Sequence, residues 1–395
     1  MNLDNITKQF IRENLNADVP TLALKKAPVG TDVSLALRQI AARQLLQKKV
    51  PQWADNEELL FPAHLSIEQC SSEATARYKA RLLQGQSFAD LTGGLGIDTY
   101  YISRQFHQSD YVERQGELCD LARHNYAVLK SDIKVWNESA EEYLSHCGPK
   151  DCIFVDPARR DEHGRKTVCV ADCTPNVAAL QDRMLEKAVK VLVKLSPMLD
   201  ISKALEELHH VKEVHVVAVA NECKELDLVM EKEYQGETQF VCVNLLTDQP
   251  ELRFGLEEER NSVGRLAESV LKYLYEPNPA IMKAGCFKLL TERFGVYKLH
   301  KNSNLYTSEK LLSNFPGRIF EVEGWAPYNK KVKQALLPDV KKASIAVRNF
   351  PLSVVELRKT LKIDEGDTIY LFATTMKGEK RVIIRTKKTA SCETV

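Results

Sequence analysis

The chain has 395 residues, of which 44% are hydrophobic and 28% are charged, and its formal net charge is +1. This composition is typical of a globular protein with two or three ordinary cores, excludes a disordered chain, and gives no overall preference for nucleic acid or membranes. No apolar run has the length of a membrane span, and the amino terminus lacks a secretory signal pattern, so we expect a cytoplasmic protein without membrane contact. The ten cysteines are not spaced as metal ligands, so we expect reduced thiols and no metal site.

The first 85 residues have the pattern of helices. The stretch SSEATARYKARLL, residues 71–83, begins with residues that cap helices well. The stretch SLALRQIAARQLLQKK, residues 34–49, has helical periodicity. Its expected apolar face is formed by Leu37, Ile40, Ala41 and Leu45. We therefore predict an N-terminal helical region up to residue 85.

From residue 87 to about residue 244, short apolar runs alternate with helical segments such as GELCDLARHNYAVLK. The runs are, in chain order, SFADL, DYVE, IKVW, DCIFVD, VKVLVKL, VKEVHVVAV and QFVCVNL. Strands separated by helices predict an α/β fold with a Rossmann-like, doubly wound and mostly parallel sheet. The last run follows its predecessor with little helical material, so we expect these two runs to form an antiparallel hairpin at the sheet edge.

The last third of the chain mixes helices and strands in a small α+β region. We predict a connector helix in RLAESVLKYLYEP, residues 265–277, and then a helix followed by a short strand in residues 278–300. Near the carboxyl terminus, TIYLFATTMKGEKRVIIRT predicts a hairpin that turns at Lys377 and Gly378.

A glycine-rich turn, DLTGGLGID, follows the run that ends at Asp90. Its glycines do not have the G-x-G-x-x-G spacing of dinucleotide-binding folds. An acidic residue at a strand end, with glycine at the fourth and sixth positions after it, resembles motif I of class I S-adenosylmethionine-dependent methyltransferases. An ordinary glycine-bearing turn is the alternative interpretation. The residues expected to hold the cofactor here are Asp90, Thr92, Gly93, Gly94, Gly96 and Asp98.

Each of these residue types suits a part of that cofactor. Asp90 and Asp98 are carboxylates that can neutralise its ammonium group, and glycines let the backbone approach its methionyl and ribose parts closely. Thr92 stands where the family commonly has glycine. Glu113, at the end of the next predicted strand, can accept two hydrogen bonds from the ribose diol. Ser139 and Ala140, after the third strand, are the predicted neighbours of the adenine edge.

The fourth predicted strand ends in DCIFVDPARR, where groups of a parallel sheet that bind ligands commonly gather. Asp156 and Pro157 resemble the start of motif IV of methyltransferases that act on amino groups, which implies that they orient an acceptor amine by hydrogen bonds. Ala158 and Arg159 replace the second proline and the aromatic residue of that motif. Arg159 and Arg160 are therefore predicted to stack on a base or to bind phosphate, with a solvated surface pair as the alternative.

Two further sets of basic residues are candidate substrate contacts. Lys194, after the fifth strand, could meet a phosphate or merely cap the strand end. Residues 328–350 interleave basic side chains with aromatic ones, a pattern that suits a phosphate backbone with unstacked bases, although a solvated helix face would look the same. The basic residues of this stretch are Lys330, Lys331, Lys333, Lys341, Lys342 and Arg348.

Taken as a whole, the chain resembles bacterial class I methyltransferases with a C-terminal THUMP-like domain. The residues that carry the resemblance are DLTGGLGIDT, DPARR, KLSPMLD, RNFPLSVVELRKTLKI and the stretch that begins PQWADNEELLFPAHL. The expected segments are an N-terminal helical region (1–85), the methyltransferase domain (86–255), a connector helix with a small ferredoxin-like segment (256–318), and the THUMP-like domain (319–395).

The resemblance implies S-adenosylmethionine as cofactor and RNA, of the transfer or ribosomal class, as substrate. The sequence hypothesis is therefore an enzyme that moves a methyl group to a nitrogen of an RNA base by direct displacement. One alternative is a catalytically silent RNA-binding protein that keeps the fold. The other is a methyltransferase for protein or a small molecule.

Overall fold

The computed structural model describes residues 3–62, 64–158 and 169–389, apart from the side chains of residues 64–66. Its contacts divide the chain into two compact units. Unit 1 comprises Met1–Val214 and Glu225–Gly236, and unit 2 comprises His215–Lys224 and Glu237–Val395. Among the described residues, no helix is long and apolar enough to cross a membrane.

Unit 1 opens with helices, which confirms the predicted helical region. They are α1 (Asn5–Glu13), α2 (Val19–Ala23), α3 (Val33–Leu46), α4 (Pro51–Ala54), α5 (His64–Gln69) and α6 (Glu73–Ala80). On α3 the most buried face differs from the predicted one, because it includes Gln39 and Arg43. Arg43 lies in the core because its guanidinium donates to four backbone carbonyls, including that of Leu59 at 2.9 Å.

The alternation that follows confirms the predicted α/β pattern. Its elements are β1 (Ser87–Asp90), α7 (Ile97–Ser103), β2 (Gln108–Val112), α8 (Gly116–Val128), β3 (Ile133–Trp136), α9 (Ala140–His146), β4 (Lys150–Val155), α10 (Val177–Lys187), β5 (Ala188–Leu195) and α11 (Ile201–Glu207). A buried cluster that contains Trp53 and Ala76 also contains Tyr100 and Tyr111, so the N-terminal helices share a core with this α/β part.

Four more strands follow α11. They are β6 (Val211–Val219), β7 (Glu222–Glu231), β8 (Gln239–Leu245) and β9 (Leu252–Gly255). β6 and β8 are neighbours in the sheet, but they do not form the predicted hairpin, because β7 lies between them in the chain. The sequence did not predict β7, because Glu225 and Asp227 interrupt its apolar pattern. Both acidic residues are nevertheless buried in the structure.

The nine strands form one sheet in the order β3-β2-β1-β4-β5-β7-β6-β8-β9. Strands β1 to β5 are parallel to their neighbours within this group, and β7 is antiparallel to β5. The chain moves outward from β1 to β3 and then returns to the other side of β1 with β4. The strand order therefore reverses between β1 and β4, and a ligand is expected outside the carboxyl ends of these two strands.

Unit 2 contains a second sheet. Its elements, with the helices around it, are α12 (Leu256–Asn261), β10 (Tyr273–Pro277), α13 (Pro279–Ala284), α14 (Leu289–Arg293), β11 (Tyr297–His300), β12 (Ser303–Ser308), β13 (Gly317–Pro327), α15 (Val332–Leu336), β14 (Ser344–Arg348), α16 (Val354–Leu361), β15 (Tyr370–Met376) and β16 (Lys380–Lys388). The seven strands run in the order β11-β12-β10-β13-β16-β15-β14. The predicted hairpin is confirmed as β15 and β16, with Gly378 at a φ of 76° in its turn.

The predicted connector helix in residues 265–277 is wrong. Its second half is β10, which pairs with β12 on one side and with β13 on the other. Tyr275 and Leu274 are fully buried there, so both faces of the strand pack against other groups. This two-sided burial outweighs the helix preference of the local sequence.

The turn between β1 and α7 depends on its glycines. Gly94 and Gly96 have φ angles of 54° and 84°, in the left-handed region that favours glycine. A Cβ atom on Gly96 would lie 2.4 Å from the hydroxyl oxygen of Tyr126. A Cβ atom on Gly94 would meet nothing closer than 3.7 Å, so the space in front of this residue is open.

We expect Gly96→Ala to lower the free energy of unfolding by about 2–4 kcal/mol, because it combines a strained φ with a steric clash. Gly148→Ala is the matched control, since its added Cβ would have no atom within 4 Å, and we expect it to change stability by about 0.5 kcal/mol or less. Urea unfolding of the three proteins measures this. Equal stability of the two variants would contradict the role given to Gly96.

Candidate functional site

The first part of the site is the turn that leaves β1. Asp90 is buried, and its carboxylate accepts hydrogen bonds from the backbone N–H of Thr92 at 2.9 Å and from the Thr99 hydroxyl at 2.6 Å. Burial raises the pKa of Asp90 to about 7, although these two hydrogen bonds oppose the shift. The side chain therefore shapes the turn from inside. Its predicted contact with a cofactor ammonium stays a prediction.

Thr92 joins this turn to the end of β4. Its hydroxyl oxygen accepts a hydrogen bond from the backbone N–H of Asp156 at 2.7 Å. The candidate cofactor turn and the candidate acceptor acid are thus held together at the point where the strand order reverses. A glycine in place of Thr92 could not make this bond.

Glu113 lies at the rim of the same turn, directly after β2. One carboxylate oxygen accepts from the backbone N–H of Gly94 at 3.1 Å, and the other accepts from that of Gln115 at 2.9 Å. Each carboxylate oxygen can accept a further hydrogen bond. Glu113 is 9% exposed, and the space in front of the neighbouring Gly94 is open. This arrangement fits the predicted role of Glu113.

The loop after β3 carries Ser139 and Ala140. The Ser139 hydroxyl accepts from the backbone N–H of Glu142 at 3.2 Å and so caps α9, while Ala140 is buried. Their contact with adenine stays a prediction. Asn137, which sequence analysis did not single out, donates to the backbone carbonyl of Glu113 at 2.9 Å. It holds the β2 and β3 loops together, and its only sequence signal is a polar residue placed directly after a strand.

The acceptor side of the site is built around Asp156. Its carboxylate accepts from the Lys194 ammonium at 2.5 Å, so the lysine predicted to contact substrate phosphate has a carboxylate partner. Pro157 is buried, and Ala158 pairs with Thr174 through two backbone hydrogen bonds of 2.8 and 3.0 Å. Arg159 and Arg160 lie outside the described residues.

Behind this pair lies a group of buried charges that we call the charge cluster. Its members are Lys79, Asp98, Lys194, Glu225 and Asp227. The fully buried Lys79 ammonium lies 2.7 Å from a Glu225 oxygen and 3.2 Å from an Asp98 oxygen. The other Asp98 oxygen accepts from the Ser71 hydroxyl at 2.6 Å. Asp98 is therefore already neutralised within the protein, and its predicted cofactor contact stays a prediction.

Burial and the neighbouring charges shift the pKa values of the carboxyl groups in the charge cluster in different directions. Burial opposes the ionisation of Asp98, but Lys79 and Lys194 outweigh it and lower the pKa of that carboxyl group. Burial raises the pKa of Asp227 well above its ordinary value. Sequence analysis missed Lys79, Glu225 and Asp227 because their contacts join residues up to 146 positions apart. Within the described residues, no group of His, Cys, Asp and Glu side chains is arranged to hold a metal ion.

The predicted basic stretch, residues 328–350, lies in unit 2, and only some of its basic side chains are exposed to solvent. Four of its lysines are exposed, namely Lys330, Lys331, Lys341 and Lys342. Lys333 donates to the backbone carbonyl of Lys362, and Arg348 donates to the buried Glu276 at 2.8 Å. The Tyr328 and Phe350 rings pack edge to face against each other, with centroids 5.1 Å apart. Trp325 remains 38% exposed.

Family models match the carboxyl-terminal part of the chain. Residues 273–316 match a ferredoxin-like domain, and residues 317–387 match a THUMP-like domain. The predicted boundary between residues 318 and 319 lies close to the limit between these two matches. The division into four segments stays a prediction. None of the curated proteins searched matches the chain.

Solved structures match the chain over different lengths. A candidate methyltransferase from Porphyromonas gingivalis W83 is 36% identical, with 98% of this chain and 100% of that chain covered and a TM-score of 0.87. A candidate class I S-adenosylmethionine-dependent methyltransferase from Listeria monocytogenes is 11% identical, covers 61% of this chain and 94% of its own, and has a TM-score of 0.37. A candidate methyltransferase from Escherichia coli is 18% identical, covers 41% and 85%, and has a TM-score of 0.31.

The last two likenesses are too slight to add to the assignment. The likeness to the Porphyromonas gingivalis structure extends over nearly the whole of both chains, at a sequence identity that indicates common descent. Together with the THUMP-like match, it confirms the resemblance read from the sequence. The chain therefore belongs to the bacterial class I S-adenosylmethionine-dependent methyltransferases with a C-terminal THUMP-like domain.

Proposed function

We propose that the protein transfers a methyl group from S-adenosylmethionine to RNA. The observation that carries the proposal is the hydrogen bond from the Asp156 backbone to the Thr92 hydroxyl. It joins the glycine turn and Glu113 on one side to the half-buried carboxylate of Asp156 on the other. A methyl donor and an acceptor held by these two halves would be close enough for direct displacement, for which alignment is the main requirement.

On the cofactor side, the residues of this chain fit S-adenosylmethionine. Glu113 would accept hydrogen bonds from the ribose diol, because both of its oxygens retain acceptor capacity. The open space at Gly94 would admit the methionyl part, and Ser139 and Ala140 would border the adenine. When bound, the cofactor supplies an electrophilic methyl group.

RNA as substrate is supported by the THUMP-like match and by the four exposed lysines of unit 2. Lysine ammonium groups neutralise backbone phosphates, and transfer RNA and ribosomal RNA both present them. On the acceptor side, the Asp156 carboxylate can accept a hydrogen bond from an N–H or an O–H group. The likeness to motif IV favours a base nitrogen as acceptor.

Labelled S-adenosylmethionine and total RNA should give labelled RNA with the wild-type protein. Asp156→Asn should reduce the transfer rate by roughly 100-fold or more, the range for losing a group that receives a proton, while the affinity for S-adenosylhomocysteine stays unchanged. Asp132→Asn, an exposed aspartate before β3, is the matched control and should retain full activity.

Each other result would exclude a different part of the proposal. Cofactor binding without any labelled RNA would favour the silent RNA-binding alternative. Label in protein or in a small molecule alone would exclude RNA as substrate. Full activity of Asp156→Asn would remove Asp156 from the acceptor site.

The exposed lysines of unit 2 should govern the salt dependence of RNA binding. For single-stranded RNA, log K should change with log salt by about −0.7 per phosphate contact. Lys341→Gln with Lys342→Gln should therefore flatten the slope by about 1.4, which is 2 × 0.7. The control pair is Lys25→Gln with Lys26→Gln, which are exposed lysines of unit 1. An unchanged slope in the first double variant would mean that these lysines form only a solvated face.

Substitution is a cleaner test here than deletion of the THUMP-like segment. Strand β13 pairs with β10 over the register from Tyr273 to Pro277, and Leu274 shares a buried cluster with Phe372 and Ile384. Removing the chain after residue 316 would expose that core. A loss of RNA binding after such a deletion could then reflect unfolding instead of a lost contact.

A further inference from the structure

The Asp156 carboxylate forms an ion pair with the Lys194 ammonium. The Lys194 ammonium lies 2.5 Å from an Asp156 oxygen, and the two side chains are 12% and 35% exposed. Any group that donates a hydrogen bond to Asp156 therefore comes close to a positive charge. The choice of acceptor atom must be compatible with both charges.

The rest of the charge cluster holds Lys194 as a cation. Asp227 lies directly opposite Lys194 in the β5–β7 register, so the two side chains leave the same face of the sheet. Glu225, two residues before Asp227, is on that face as well. Burial alone would lower the pKa of Lys194, but Asp156, Asp98 and Glu225 together raise it. Lys194 therefore keeps its proton and cannot act as a general base.

A fixed cation has opposite effects on two kinds of acceptor. An amine becomes more positive as it takes up a methyl cation equivalent, so a neighbouring ammonium repels its transition state. A hydroxyl group becomes more negative as it loses its proton, so the same ammonium stabilises it, as oxyanion donors do. In the Asp156–Lys194 pair, the Asp156 carboxylate can accept the proton of a hydroxyl group, and the Lys194 ammonium can stabilise the negative charge on its oxygen.

We infer that the acceptor is the ribose 2′-hydroxyl of RNA, with Lys194 beside its oxygen and Asp156 as the base. This inference rests on the proposed function and replaces the base nitrogen as acceptor. The hydroxyl oxygen forms a bond to the methyl carbon as the carbon–sulfur bond breaks, and that bond's electron pair stays on sulfur. The hydroxyl proton passes to the Asp156 carboxylate and then to solvent, which reaches this half-buried side chain, 35% exposed. The 2′-hydroxyl is also the group that distinguishes RNA from DNA.

The position of the new methyl group tests the inference directly. RNA methylated by the wild-type protein is digested to nucleosides, and mass spectrometry shows whether the label fragments with the ribose or with the base. We expect ribose label, and no transfer to the same RNA with a 2′-deoxy sugar at the modified nucleotide. Base label alone would overturn the inference and leave the proposed function intact. No labelled RNA of any kind would overturn both.

Variants of Lys194 test its role apart from substrate identity. Lys194→Met should slow transfer by roughly 100-fold to 1,000-fold, as loss of one oxyanion donor does, with unchanged affinity for S-adenosylhomocysteine and partial rescue in Lys194→Arg. Lys190→Met is the control, because Lys190 lies on the same strand and donates to a backbone carbonyl, that of Leu82, instead of a carboxylate. An equal loss of rate in Lys190→Met would contradict a specific role for Lys194.

Melting temperatures test the Lys194–Asp156 ion pair without an activity assay. If Lys194 and Asp156 interact in solution, the melting temperatures of Lys194→Met, Asp156→Asn and the double variant should show a clearly non-additive pattern. Additive shifts would mean that the ion pair does not form, which would overturn the inference. A weaker salt dependence of RNA binding in Lys194→Met would also overturn it, since Lys194 would then bind a phosphate.

Discussion

The site depends on the burial of one ammonium group, that of Lys79. A cation removed from water is tolerated only when carboxylates neutralise it and satisfy its hydrogen bonds. Asp98 on α7 and Glu225 on β7 do this for Lys79 on α6. Losing one partner of such a pair typically costs about 3–5 kcal/mol. The ion pairs therefore fix an N-terminal helix, the helix behind the glycine turn and a central strand relative to one another.

That constraint explains why the N-terminal helices belong to the same compact unit as the α/β part. Lys79 comes from the segment before β1, yet its partners lie after the turn and on β7. The same electrostatic group reaches Lys194 and, through it, Asp156. Buried charges are costly, and here they lie next to the half-buried carboxylate of Asp156 at the end of a parallel strand. Such a placement is common at functional sites.

The departure from the family pattern at Thr92 also has a physical reason. A glycine there would serve the close approach of a ligand, but Thr92 provides a hydroxyl that accepts from the Asp156 backbone. The turn keeps its left-handed positions at Gly94 and Gly96, where glycine is required. Thr92 therefore links the candidate cofactor turn to the candidate acceptor acid.

Local patterns predicted the strands β1 to β5, the glycine turn, and the placement of Glu113 and Asp156 at strand ends. These succeed because parallel strands and tight turns have short sequence signals. The prediction failed for β10, where burial on both faces overrides helix preference, and for β7, where buried acids resemble a surface segment. The charge cluster could not be predicted, because its members meet only after folding.

The central claim is that the turn after β1 holds S-adenosylmethionine through Glu113. Calorimetric titration with S-adenosylhomocysteine measures this binding without any assumption about the substrate. We expect Glu113→Ala to weaken binding by about 1.5–3 kcal/mol, the range for hydrogen bonds to a charged group, and Glu117→Ala, whose side chain is 62% exposed on α8, to bind as the wild type does. Unchanged affinity in a folded Glu113→Ala protein, or tight binding of NADH by the wild type, would contradict the claim.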